Sequence, residues 1–263
     1  MSKEFYLNPM ATILISAVIA TAASALITAT YFKPKVLSEE EIGKIAATYL
    51  VKNPHYLVEA GKALENQNVS ASVERIIPYA PALLDTKETP NIGPDDADVA
   101  VIEFFDYQCV FCSRLAPGME QVMKTRPDVR YIFKEWPIRE VSAAKWETSS
   151  LAAQYGIGVW KAKGAAGYLT YHNGIYHTGH IEGDLTKEDI RAAAHAAGVD
   201  ALNAVDHAPV LEKNDALSQA LGLTGTPGLI VMPVENASPE TITVFAGLAS
   251  PEQILAAIDK AQR

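Results

Sequence analysis

Two cysteines occur in the whole chain, Cys109 and Cys112, separated by Val110 and Phe111. Residues three apart on a helix have neighbouring side chains, and their Cα atoms fall within the range that a disulfide tolerates. Such a pair opens and closes with little backbone motion. A helix starting beneath the first cysteine would aim unpaired amides and the positive end of its dipole at that sulfur. This favours the thiolate, which is the nucleophile of thiol–disulfide exchange. Cys112, one turn deeper, would be shielded and would resolve the mixed disulfide. Val110 and Phe111 offer the sulfur neither a hydrogen bond nor a positive charge. They predict a less acidic thiol, and a weaker oxidant, than a dipeptide carrying His. A disulfide-stapled secreted fold would scatter more cysteines, and a structural zinc site needs four ligands. Soft sulfur also suits Cu(I), so a copper-binding thiol chaperone stays open beside the redox reading.

Other residues join the pair by position. Glu103 is the one acid in the apolar run Val99–Phe105. It is either an edge-strand residue facing water or a buried carboxyl beneath the cysteines. In the second case its pKa is raised and it exchanges protons with Cys112. Apolar neighbours on both sides favour the second. Gly225-Thr226-Pro227-Gly228 precedes another apolar run. Pro227 there is a simple turn, or a cis proline that leaves the Thr226 backbone free to pair with an extended substrate. His172, His177 and His180, with Asn173, Gly174 and Gly179, read as an exposed polar loop; no acid or cysteine has matching metal-ligand spacing.

These residues need a frame. Val99–Phe105 reads as a buried strand, a helical pattern runs from the cysteines to about Lys124 with a bend at Pro117, and 129–133 reads as the next strand. That order is a βαβ unit. Residues 142–223 are dominated by helical signals, including a helix opening near Asp184 and stopped by Gly198. Strands at 229–232 and 241–245 follow, and Ser250-Pro251-Glu252-Gln253 is a capping box opening a last helix.

Ahead of this domain, residues 1–35 hold a membrane anchor or signal segment. Phe5 to Phe32 carries no charge, and Met10–Ile27 is dense enough in apolar residues to cross a bilayer, which takes about 20. Ala23-Ser24-Ala25 has the form signal peptidase prefers, but the apolar stretch continues past it, which favours an uncleaved anchor. Lys3 before the span and Lys33 and Lys35 after it leave the orientation unsettled. Residues 36–68 form a helical stalk, started by the capping box Ser38-Glu39-Glu40-Glu41 and interrupted at Asn53-Pro54. Its apolar stripe of Ile42, Ile45, Tyr49 and Leu50 packs on its own domain or on a second copy. Residues 69–98, with Pro78, Pro81, Pro90 and Pro94, read as a connector. The chain has 22 basic and 31 acidic residues and a net charge of −9 without a basic run, which speaks against nucleic acid as partner.

The segment FFDYQCVFC resembles the active-site segment of the DsbA-like thiol–disulfide oxidoreductases of the thioredoxin superfamily. The likeness extends through KEWPI at Lys134–Ile138 and GTPGLIV at Gly225–Val231. Within that family the chain is most similar to the suppressor-of-copper-sensitivity branch and related disulfide isomerases. EEEIGKIAATYLVKNPHYLVEAGKAL resembles that branch's self-associating amino-terminal helices. The likeness runs from Glu39 to Arg263 and weakens between Gly156 and Ile181. It implies an α/β thioredoxin fold over 99–263 with an inserted helical domain at about 142–223. It implies Cys109 as nucleophile, Cys112 as resolving thiol and Glu103 as buried acid. It implies a cis bond from Thr226 to Pro227, with Val110 and Phe111 beside them at the substrate. No cofactor or metal is expected. Expected partners are exported cysteine-containing proteins and a membrane redox partner that resets the pair, at the periplasmic face of a bacterial inner membrane. Thr before the proline looks more like the isomerases and reductases than the dedicated oxidase. Val-Phe is neither Pro-His nor Gly-Tyr, which leaves the direction of net electron flow open.

Overall fold

In the computed structural model, which describes residues 8–31, 37–138, 143–200 and 207–263, the run Val99–Phe105 forms β2 with all seven residues buried. It lies at the centre of a five-stranded sheet ordered β1-β3-β2-β4-β5. The other strands are β1 (Asn91–Ile92), β3 (Arg130–Glu135), β4 (Gly228–Pro233) and β5 (Thr243–Ala246). β2 pairs parallel with β3, setting Ile102 opposite Ile132, and antiparallel with β4, setting Ile102 opposite Ile230. Helices cover both faces, which is why β2 reads as a continuous apolar run rather than an alternating one.

Side-chain alternation sorts the strands into two cores. Ala100, Ile102 and Phe104 join Ile132, Ile230 and Met232 on one face, under Ile76, Leu83, Leu217 and Leu221. Val101 and Phe105 join Tyr131, Phe133 and Val231 on the other. That second face packs against α5 (Val110–Thr125), through Cys112, Leu115 and Met119, and α9 (Pro251–Ala261), through Ile254 and Ile258. Glu103 alternates with Val101 and Phe105, so the same parity directs it towards α5. The Ser250 capping box starts α9 as expected, and Pro117 lies inside α5.

Among the described residues, three helices stand between β3 and β4: α6 (Ala143–His177), α7 (Lys187–Ala196) and α8 (Ala208–Leu221). α6 is two helical stretches joined at Gly164, whose φ of 68° and ψ of −162° break the helical backbone. α7 starts on a Thr186–Asp189 capping box. α8 faces two ways: Leu217 and Leu221 pack on the sheet, and Val210 and Leu211 on Ala153 and Ile157 of α6.

The stretch expected as a connector is part of the folded structure. A helix, α3, runs from His55 to Ile76, a 3₁₀ turn covers Ile77–Tyr79, α4 spans Ala80–Leu83, and β1 closes the sheet edge. Val73, Ile76 and Leu83 are buried. Pro78 and Pro81 sit in the first turns of their helices, where a missing N–H is harmless. The segment is tied to β3 by Lys134, whose buried ammonium donates to Ala82 O at 3.3 Å and Asp85 O at 3.1 Å. Burial lowers the Lys134 pKa to about 8.

The chain divides into two units, Met1–Lys62 and Ala63–Arg263. The first holds α1 (Pro9–Tyr31), α2 (Glu39–Lys52) and the start of α3. α1 carries a 22-residue stretch, Pro9–Thr30, whose most apolar 18 residues have a mean hydropathy of 2.2, long and apolar enough to cross a membrane. α2 begins on the Ser38–Glu41 capping box and buries none of its residues; Ile42, Ile45 and Tyr49 are exposed.

Phe104 is wholly buried and meets Trp136 edge-on at 6.2 Å. Phe104→Ala is expected to lower unfolding free energy by about 3–5 kcal/mol, the cost of a large core cavity, in urea denaturation.

Candidate active site

The turn joining β2 to α5 is held by one buried carboxylate. Asp106 Oδ1 accepts from Gln108 N–H at 2.8 Å and from Ser149 Oγ at 2.8 Å, and Oδ2 accepts from Ile138 N–H at 3.0 Å. The Asp106 carbonyl accepts from Cys109 N–H at 3.1 Å and from the Tyr176 hydroxyl at 3.3 Å. Ser149 and Tyr176 both come from α6, so the insert fixes where α5 begins. It begins at Cys109, the N-cap residue, with φ −78° and ψ 121°. A sulfur thus occupies the place where Ser, Thr, Asp or Asn usually presents an oxygen to the first free amides.

Cys109 is half-buried and Cys112 wholly buried, both as free thiols. The Cys109 thiol donates to Thr226 O at 3.2 Å. The Thr226–Pro227 bond is cis. Thr226 Oγ1 is buried and, among the described residues, has no hydrogen-bond partner. The Cys109 pKa is lowered to about 6, first by hydrogen bonding with the Cys112 thiol, then by Thr226 and the Cys112 and Phe111 amides, against the opposing effect of burial. Burial drives Cys112 the other way, well above an ordinary thiol, and the charge on Cys109 adds to it. Glu103 is 3% exposed, and its pKa rises to about 8, chiefly through burial and then through the charge on Cys109.

Phe111 stays exposed, with the Arg114 guanidinium 5.7 Å above its ring. A groove of about 390 Å³ opens between Phe111, Leu223, Pro227, Val244 and Leu248, with Thr226 in its wall. Cys109, Cys112, Glu103, Thr226, Pro227 and Phe111 therefore belong to one site. Val110 is half-buried at the helix start, outside the groove lining.

Of the three histidines, His180 lies in an exposed loop with Gly179 as expected, whereas His172 and His177 belong to α6. His172 lies inside α6, 4% exposed and ringed by Phe105, Tyr107, Phe133, Tyr168 and Tyr176 at centroid distances of 4.9–5.6 Å. Burial takes its pKa down to about 3, so it is neutral. His177 ends α6, and His180 lies beyond it, 2.8 Å from Asp189. Asn173-Gly174 suggested a turn, but Tyr168, Tyr171, His172, Ile175 and Tyr176 form a helical stripe that the core buries.

A second buried acid went unread. Glu135, at the end of β3, accepts from Tyr107 OH at 3.2 Å and Tyr168 OH at 3.0 Å through Oε1, while Oε2 has no partner. Burial raises its pKa well above the usual carboxylate range. A Cβ at position 156 would stand 2.6 Å from Oε1, so Gly156 is what lets α6 approach this acid. Its only signal in the sequence is an acid at the end of an apolar strand, the same signal that marks Glu103.

With this geometry in place, comparison with known proteins assigns the scaffold. The family described as Thioredoxin matches residues 85–259. The chain belongs to the thioredoxin family. Salmonella enterica Typhimurium BcfH is similar in structure with a TM-score of 0.67 and 34% identity, over 92% of this chain and 100% of that one. The catalytic domain of Proteus mirabilis ScsC gives a TM-score of 0.60 at 23% identity, over 73% of this chain and 99% of that one. The thiol–disulfide exchange protein α-DsbA2 of Wolbachia pipientis gives 0.57 at 19%, over 72% and 95%; these last two likenesses concern the thioredoxin fold. Among curated sequences, disulfide bond formation protein D of Bacillus subtilis is 27% identical over 159 residues, 55% of this chain and 68% of that one. A Salinispora tropica Na(+)/H(+) antiporter NhaA is 28% identical over 67 residues. The chain spans about a tenth of that antiporter's length, 10%, and 8% of a second from Salinispora arenicola.

The thioredoxin-type arrangement makes a direct chemical expectation. Alkylation of the reduced protein should be confined to Cys109, and its rate should reach half-maximum near pH 6, because only the thiolate reacts. Mass spectrometry of the modified peptide checks the residue, and the pH series checks the midpoint.

Proposed function

We propose that the chain is a thiol–disulfide oxidoreductase that forms, reduces or reshuffles disulfides in exported proteins. The observation that carries this reading is the Cys109 sulfur at the N-cap of α5, drawn towards ionisation and facing the Thr226 carbonyl at 3.2 Å, with Cys112 buried one turn behind it. In the reductive direction the Cys109 thiolate attacks one sulfur of a substrate disulfide. The substrate S–S bond breaks, a mixed disulfide forms, and the departing thiolate takes a proton from water. Cys112 then loses its proton and attacks Cys109 Sγ, releasing the second substrate thiolate. The substrate disulfide is reduced by two electrons and the Cys109–Cys112 pair is oxidised. Oxidation of a substrate dithiol runs the same steps backwards.

Glu103 supplies the proton traffic of Cys112. While Cys109 is a thiolate, its charge helps keep Glu103 protonated. Once Cys109 is tied up in the mixed disulfide that charge is gone, Glu103 ionises more readily, and its carboxylate accepts the Cys112 proton. Thr226 and Pro227 offer main chain to an extended substrate segment, and the groove beside Phe111 takes an apolar side chain from it. We read α1 as the tether that holds the domain at the outer face of a bacterial inner membrane, with a cleaved leader as the other reading. A membrane redox partner resets the pair. An oligomeric isomerase or reductase is the second reading, favoured by Ile42, Ile45 and Tyr49, the exposed stripe of α2 that a second copy would cover.

Refolding of a scrambled disulfide substrate and reduction of insulin test the reading together. Cys109→Ser should abolish both activities. Cys112→Ser should accumulate mixed disulfides that a thiol reductant dissolves. Glu103→Gln should slow release by about 10- to 100-fold, the range of one acid–base group, while leaving mixed-disulfide formation intact. Full activity in Cys109→Ser overturns the proposal.

A further inference from the structure

The loop after α6 delivers a carboxylate to the start of α5. It is pinned to the active-site turn by two hydrogen bonds. Glu182 N–H donates to Gln108 O at 3.0 Å, and Gly183 N–H donates to Gln108 Oε1 at 2.9 Å. Gln108 is wholly buried and fixed in turn by Asp106 and Ser149. Glu182 is held at φ 58° and Gly183 at φ 113°. Left-handed backbone suits glycine and is unfavourable for a residue with a Cβ. The bonds to Gln108 therefore keep Glu182 in a conformation it would not choose. The result is placement: Glu182 Oε1 accepts from Val110 N–H at 3.4 Å.

Val110 is the first residue of α5 and follows Cys109 directly. The next two amides, of Phe111 and Cys112, help lower the Cys109 pKa. One helix start thus faces two anionic groups, a carboxylate from the insert and the thiolate of its own N-cap. Glu103 and Cys112 face that sulfur from the core side and carry no positive charge in either protonation state.

We propose that Glu182 is a positioning residue that caps Val110 from the insert and sets a negative charge beside Cys109, restraining ionisation of that thiol and making the Cys109–Cys112 disulfide a weaker oxidant. This rests on the oxidoreductase reading above. Like charges at one helix start disfavour each other, and a reduced state with a less stable thiolate is a poorer electron sink. The insert thereby sets the redox poise of a pair whose own dipeptide has no polar side chain to do so.

The test uses Glu182→Gln, which keeps the side chain's size and its acceptor oxygen, and Glu182→Gly, which suits the left-handed backbone and removes the cap. Two quantities are read in the full-length protein: the pH midpoint of Cys109 alkylation, and the equilibrium constant with glutathione. In the latter, two glutathione thiols reduce the disulfide to the dithiol and leave as one glutathione disulfide. Both variants should move the midpoint to lower pH and shift the equilibrium about threefold towards the dithiol. A merely structural role for the loop moves neither quantity in Glu182→Gln. An unchanged midpoint and constant in that variant, beside an acidic wild-type thiol, overturns this proposal and leaves the oxidoreductase reading standing. A wild-type Cys109 that alkylates like free cysteine overturns both.

Discussion

One helical turn has to hold two sulfurs in opposite environments. Cys109 needs free amides and contact with water; Cys112 needs neither. An α-helix rotates by about 100° per residue, so a helix start displaced by one position would swing Cys109 away from its amides and bring another residue to the buried place of Cys112. The start of α5 is therefore the constraint from which the site follows. It is enforced by Asp106, whose carboxylate gathers Gln108 from the turn, Ser149 from α6 and Ile138 from beyond β3. A buried carboxyl is tolerable there because both of its oxygens have hydrogen-bond partners. Sheet, insert and helix meet at that one side chain.

The same logic explains why the core beneath carries acids that are not paired with bases. The pKa values of Glu103 and Glu135 are both pushed up chiefly by burial, with the charge on Cys109 adding to Glu103 and the charges of Asp106 and Glu103 adding to Glu135. A neutral carboxyl is far cheaper to bury than an ionised one. Glu135 meets two tyrosines that stay protonated themselves, so its hydrogen-bond partners do not change when the cysteines do. Glu103 differs, because Cys109 is the second cause of its shift. Only an acid electrically coupled to the sulfur can answer a change in its charge, which is why the proposed proton carrier is Glu103 and not Glu135.

Much of this was legible in the sequence, and what was not has a physical reason. β2, β4 and the start of α9 were readable because apolar runs and capping residues act over a few neighbours. The cysteine spacing was readable for the same reason. The path of residues 69–98 was not, since Pro78 and Pro81 signal interruption equally well in a linker and in the first turn of a short helix. α6 was misread around His172 because Asn173 and Gly174 are weak helix formers, whereas burial of Tyr168, Tyr171 and Tyr176 against the sheet outweighs their local preference. Glu182 gave no signal at all: it lies 72 residues from Val110, and nothing local marks an exposed acid as destined for a distant helix start.

That last distance bears on what the insert is for. A helical insertion between β3 and β4 could be an ornament on a thioredoxin-family sheet, yet Ser149, Tyr176 and Glu182 all reach the turn that carries Cys109. Two of them fix where the helix begins, and the third places charge at its first amide. The dipeptide between the cysteines is apolar, so the hydrogen bonds around the sulfur come from elsewhere: from Cys112, from Thr226 and from the backbone. On the proposed oxidoreductase reading, the direction of electron flow would be decided by groups spread over β2, the Thr226–Pro227 loop and the insert. Two proteins with the same four active-site residues but different inserts would then differ in poise, because the potential at Cys109 is a property of the whole assembled turn.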